Sequence, residues 1–234
     1  MNKTKIEWTN YTWNPIKGIC PVGCWYCYAR RIYQRFGWKK DIWLGQMPNF
    51  EFRKREDLYL PINPKHIGID IPKRIFVCST IEIFHPKVLR KWRDWIFDEI
   101  KNHPEYIFQI LTKLPQNIDR PMPDNVWLGV TVTDGKQLNV ERNWQLEFPN
   151  YPINGIKFMS IEPLLADIKN FTFEFYPVDW VIVGRLTQCG HKYDPKREWI
   201  ERIVDHVKGQ KVPIFLKDNL RSIWGADLIQ EMPK

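Results

Sequence analysis

Three thiols fall within one short stretch of this chain, Cys20, Cys24 and Cys27 of "GICPVGCWYCYARR", residues 18–31. Tyr26 and Tyr28 flank the last of them. Thiolates are soft metal ligands, and offsets of four and three residues let all three face one side of a single loop. Three uses compete. Structural zinc takes four ligands, usually as two separated pairs, so Cys78, Cys189 or His191 would have to complete the set from far along the chain. Inert burial suits a single cysteine better than three together. An iron–sulfur cluster takes four thiolates when fully ligated, and three leave one iron open to a ligand, so that it can act on what it binds.

The rest of the composition narrows the setting. The five cysteines are odd in number and crowded at one end, a poor disulfide framework that points to a reducing compartment. No apolar run approaches the roughly 18–20 residues of a membrane span. "MNKTKIEWTN" lacks the apolar core of a secretory leader. The expectation is a cytoplasmic protein without a membrane partner. At 234 residues and 44% hydrophobic content, one domain spanning 1–234 with a substantial core is expected. The net charge of +8 and the 12 tryptophans suit phosphate attraction and base stacking. Mildly basic enzymes with core tryptophans are also common.

The elements that must position the thiols are legible as alternating patterns. Short apolar, β-branched runs recur at 74–79, 106–111, 126–132, 156–161, 179–184 and 212–217. Near-continuous apolar runs of this kind are expected as buried parallel strands. Helical periodicity appears at 86–103, with Pro86 near its start, and at 195–209, with Gly209 as the expected C-cap. A further helix is expected around 29–36, directly after the cysteines. Alternating strand and helix predicts an α/β fold, a full or partial (β/α) TIM-type barrel with parallel strands. In such folds chemistry gathers where the strands end. Those ends carry Ser79 and Thr80, Thr112 and Lys113, Thr131 and Thr133, Ser160 and Glu162, Arg185, and Lys217 with Asp218.

The spacing C-x3-C-x2-C in "CPVGCWYC", with an aromatic before the last cysteine, resembles the signature of the radical SAM superfamily. "IEWTNYTWNP", "YIFQILTKLP", "NVWLGVTV", "FMSIEPLL" and "DWVIVG" are similar, in order, to motifs of a phage- and prokaryote-associated radical-SAM-like family of unknown function. The likeness runs from about Ile6 to Lys217. It implies that Cys20, Cys24 and Cys27 hold a 4Fe–4S cluster and that S-adenosyl-L-methionine binds the fourth iron. It further implies an external electron donor and a 5′-deoxyadenosyl radical that abstracts hydrogen from a substrate. Backbone amides around Gly18 and Gly23 are expected to hydrogen-bond the sulfurs.

The resemblance also assigns roles. Tyr26 takes the place of the aromatic beside the adenine. Ser79 and Thr80 stand where the superfamily contacts the methionine amino group, although the usual Gly-Gly-Glu is missing and Glu82 is the nearest carboxylate. Thr131 and Thr133 end the strand that touches ribose or carboxylate. Glu162 and Lys113 are the candidate catalytic residues, as a salt link to substrate or cofactor. The chain departs from its relatives after "DWVIVG", where "GRLTQ" replaces Gly-Gly-Glu-Ser, and at Lys217-Asp218, the remnant of a Lys-Gln-Trp motif. The cluster motif is whole and the substrate end is altered, so the substrate stays open. Cys78 is expected as a packed core thiol, and Cys189 with His191 as a solvent-facing loop pair.

The segment at about 37–68, with "WKKDIWLGQ" and "FRKRED", is a basic, insertion-like stretch where a nucleic-acid substrate would be met first. The alternative to a radical enzyme is a nucleic-acid-binding module in which the cysteines hold structural zinc.

Overall fold

The computed structural model describes residues 2–37, 41–44, 73–134, 153–169 and 178–234. All six apolar runs are strands. They are β5 (Lys73–Val77), β6 (Tyr106–Thr112), β7 (Val126–Thr131), β8 (Lys157–Ile161), β9 (Trp180–Val183) and β10 (Ile214–Leu216). Two more that the sequence reading did not pick out, β1 (Asn2–Lys3) and β2 (Tyr11–Trp13), extend the sheet. The order is β1-β2-β5-β6-β7-β8-β9-β10, parallel throughout except for the antiparallel β1–β2 pair. A small antiparallel pair, β3 (Ile16–Lys17) and β4 (Trp43–Leu44), stands beside it.

The sheet is a mostly parallel α/β sheet and, among the described residues, it does not close into a barrel. One edge is β1. At the other, the C-terminal residues cover β10: Leu216 N–H donates to the Ile229 carbonyl at 2.7 Å and Glu231 N–H to that of Ile214 at 2.9 Å. Covering an edge in this way removes a template for strand addition.

Period-two alternation divides the sheet's faces. Ile75, Val77, Phe108, Ile110 and Leu128 meet Ile96, Phe97 and Ile100 of α2 (Arg90–Lys101). Val181, Val183, Ile214 and Leu216 meet Ile200, Ile203, Val204 and Val207 of α3 (Arg197–Gly209). Each such side chain contributes roughly 2 kcal/mol by leaving water. The opposite face carries larger rings: Phe76, Phe158, Trp180 and Phe215 pack with Trp8 and Ile182. Gly129 makes room for one of them, since a Cβ there would lie 2.3 Å from the Phe158 ring.

The helices follow the sequence periodicity with shifted ends. Gly209 closes the last turn of α3 and Gln210 caps it. The helix after the cysteines, α1, runs Tyr28–Arg35. A one-turn helix, α4 (Arg221–Trp224), is the last among the described residues. No helix among the described residues is long and apolar enough to cross a membrane. Most of the basic segment at 37–68, including Lys39, Lys40, Arg53, Lys54 and Arg55, lies outside the described residues.

Candidate functional site

The carboxyl ends of the parallel strands open into one cavity of about 650 Å³. That is the size range of small-molecule and cofactor sites. One wall is the cysteine loop, with Cys20, Cys24, Tyr26 and Cys27. The rest is built by strand ends: Ser79 and Thr80 after β5, Lys113 after β6, Thr131 of β7, Ser160 of β8 and Glu162 just after it, Arg185 after β9 and Lys217 after β10. The strand-end reading of the sequence therefore locates residues that share one space.

Local structure fixes each thiol. Cys27 is the N-cap of α1, and its sulfur accepts the Arg30 N–H at 3.4 Å. Cys20 is partly buried, and burial pushes its free thiol up, opposed by the backbone N–H groups of Glu82 and Val22, which donate to its sulfur. The sulfur donors are thus Val22, beside Gly23 as expected, together with Arg30 and Glu82, which the expectation did not include. Gly18 N–H instead donates to the Tyr33 hydroxyl at 3.1 Å. Tyr26 bonds through its hydroxyl to Cys24 and Thr133, and burial raises its phenol first, with Cys24 adding to the effect. Thr133 does not line the cavity but holds Tyr26 in place. All five cysteines are free thiols. Among the described residues no three His, Cys, Asp or Glu side chains gather as a single bound metal ion requires.

Glu82 has a definite occupation. Its Oε1 accepts the Thr112 hydroxyl at 2.7 Å and the Phe84 N–H at 3.2 Å, and its Oε2 accepts the Lys113 N–H at 2.7 Å. Burial pushes this carboxyl up, and the three donors act against burial. Lys113 enters the site by its backbone as well as its side chain. Ser79 Oγ donates to Asn14 Oδ1 at 3.1 Å, and the Ser79 carbonyl accepts the Tyr28 hydroxyl at 3.0 Å.

On the far side, Lys217 Nζ donates to Glu162 Oε1 at 2.6 Å and stands 3.6 Å from Glu7 Oε2. Burial alone would lower this lysine, but the Glu162 and Glu7 carboxylates outweigh it and hold the amine above its ordinary value. Gly184 allows the approach, because a Cβ there would lie 3.0 Å from the Glu162 carboxyl. Arg185 is fixed to the Asn219 carbonyl at 2.6 Å and to Asp194 at 2.8 Å. Glu7 and Asn219 were missed in the sequence. Glu7 precedes β2 and had no periodic signal; Asn219 lies just past the last strand end.

Two hydroxyls in this wall lack partners. Thr131 and Ser160 lie opposite each other in the β7–β8 register and are buried, and neither oxygen has a hydrogen bond. A buried polar atom left unpaired is costly unless a ligand completes it. Cys78 is buried directly after β5, in a left-handed turn with φ 55°, and burial pushes its thiol up. Cys189 and His191 do not line the cavity. Cys189 accepts from Arg31 at 3.4 Å, and His191 pairs with Asp194 at 2.7 Å on an exposed loop.

Among known families, the one described as Protein of unknown function (DUF5131) matches residues 3–230. No curated protein matches the chain. No solved structure matches it.

Proposed function

We propose a radical S-adenosylmethionine activity for this chain, which belongs to the DUF5131 family. One observation carries the reading: three free thiols share a cavity with two buried, unpartnered hydroxyls. Cys20, Cys24 and Cys27 would hold a 4Fe–4S cluster, each thiolate on a different iron, so they need not converge on one point. Bound there with S-adenosyl-L-methionine, such a cluster would pass on one electron from an external donor to cleave the sulfonium C–S bond, which would release methionine and leave a 5′-deoxyadenosyl radical to abstract hydrogen from a substrate.

The chain's own residues supply the surroundings. N–H groups of Val22, Glu82 and Arg30 stabilise negative charge on two of the sulfurs. Thr131 and Ser160 offer hydroxyls to the ribose or carboxylate of the cosubstrate. Tyr26, held by Thr133, borders the adenine. With no Gly-Gly-Glu, the methionine amino group falls to Ser79 and Thr80, since Glu82 already serves three donors. Glu162 and Lys217 form a charged pair at the substrate end. The cavity wall is read as an incomplete (β/α) barrel, with an external donor delivering the electron.

Metal analysis tests this reading. Anaerobically reconstituted protein is expected to be brown, with iron and acid-labile sulfide in equal amounts and both lost in Cys24→Ala. A colourless protein that retains stoichiometric zinc after anaerobic purification contradicts it.

A further inference from the structure

Next to the cavity, on the outside of the cysteine loop, lies a surface that the chemistry above does not use. Trp25 stands between two cavity-lining residues, Cys24 and Tyr26, yet is itself 54% exposed. The Tyr193 ring lies 4.9 Å away at a tilt of 57°. The Lys192 amine sits 5.1 Å from the Tyr193 ring centre. Tyr26 meets the indole edge-on at 5.5 Å.

The loop that carries Tyr193 is fastened in place. Arg31 of α1 reaches across to donate to the Gln188 carbonyl at 3.0 Å and to the Cys189 sulfur at 3.4 Å. Arg185, at the loop's base, donates to the Gly190 carbonyl at 3.1 Å and to Asp194 at 2.8 Å. Asp194 is taken up by Arg185 and His191 together. Among the described residues here, Lys192 and, one turn along α1, Arg35 are exposed cations, and Arg31 is exposed and keeps its charge while it fastens the loop.

We infer that this rim is a docking platform for single-stranded nucleic acid. A base stacks on Trp25 beside Tyr193, and the flanking phosphates lie against Lys192 and Arg31. The pairing of flat rings with cations is what sequence-tolerant strand binding requires. An acidic peptide would use the cations and leave the rings idle. The chain's +8 charge adds long-range attraction for phosphate. The inference rests on the radical-enzyme reading in one respect: it makes a nucleotide next to the stacked one the group delivered to the cavity. Binding itself needs no turnover, so the two ideas fail separately.

The test is a fluorescence-anisotropy titration of the whole chain with short labelled single-stranded RNA and DNA, alongside a duplex and a polyglutamate competitor. With two or three phosphates engaged, affinity for single strands falls about 7- to 18-fold between about 50 and 200 mM salt. Trp25→Ala weakens binding by about 5- to 150-fold, the range for one stacked base. Trp25→Phe restores most of that loss, and Lys192→Ala flattens the salt dependence. Duplex binds less tightly, because its bases are already stacked. Iron content, measured in parallel, stays unchanged in all three variants. The inference is overturned by no binding at low salt, by equal affinity in Trp25→Ala, or by polyglutamate binding as tightly as the strand. Strand binding with the expected Trp25 dependence in a protein that never takes up iron leaves the platform standing and removes the radical reading.

Discussion

Lys217 and Glu162 meet at 2.6 Å across the ends of β10 and β8, with Glu7 as a second carboxylate 3.6 Å from the same amine. The pair joins two strand ends to the segment before β2. Lys217→Met leaves two carboxylates facing each other, at a cost of about 1–3 kcal/mol. The figure is below that for a fully buried pair because the side chains are 14% and 26% exposed. The folded-state value of Lys217 is raised, so its contribution is complete below the ordinary 10.5 and is lost as pH rises through the higher folded value. Urea unfolding from neutral to strongly alkaline pH should show wild type losing stability relative to Lys217→Met. Curves that stay parallel contradict the pairing.

Ser160 and Thr131 separate stability from function. Ser160→Ala removes a buried hydroxyl that has no partner, so the free protein should be unchanged or stabilised by about 1 kcal/mol. If the hydroxyl serves the cosubstrate, affinity for S-adenosyl-L-methionine should fall about tenfold, as for a lost neutral hydrogen bond. Calorimetric binding and thermal unfolding of the same variant decide it. Weakened folding with unchanged affinity would make Ser160 a structural residue.

Glu82 is predicted to matter mainly to the fold. Glu82→Leu leaves the Thr112 hydroxyl and the Phe84 and Lys113 amides without their acceptor. A loss of about 3 kcal/mol or more follows from several stranded donors, offset in part by the apolar replacement. A change under about 1 kcal/mol in denaturant unfolding contradicts this role.

Much of this arrangement was legible beforehand, and particular residues show why. Apolar continuity located β5 to β10, because parallel strands are buried on both faces and leave no polar alternation to confuse them. The rule that chemistry sits at strand ends then gathered Ser79, Lys113, Thr131, Glu162 and Lys217 into one cavity. β1 and β2 escaped notice because they are two and three residues long and are defined by their partners. Whether the sheet closes depends on what lies against its edges, and here the antiparallel β1 and the C-terminal residues 229–231 do. Glu82 was only the nearest carboxylate to the missing Gly-Gly-Glu in the sequence, and its three donors reveal its occupation. Tyr193 is 168 residues from Trp25, and no spacing rule joins them.

Cys27 has two separable duties, N-cap and thiol. Cys27→Ala should lose both the iron and about 1 kcal/mol of stability through the cap. Cys27→Ser keeps a good capping group and should recover the stability without the iron. Iron assay and thermal unfolding of the two variants check this. Full iron content in Cys27→Ser contradicts the ligand assignment, whereas Cys78→Ala and Cys189→Ala should both retain the metal.

The central claim is tested most directly by incubating the anaerobically reconstituted, dithionite-reduced protein with S-adenosyl-L-methionine and quantifying 5′-deoxyadenosine by chromatography. Slow formation in the wild type without added substrate, abolished in Cys20→Ala, Cys24→Ala and Cys27→Ala, is the result this account predicts. A reduced, iron-replete protein that binds S-adenosyl-L-methionine and yields no 5′-deoxyadenosine would contradict it.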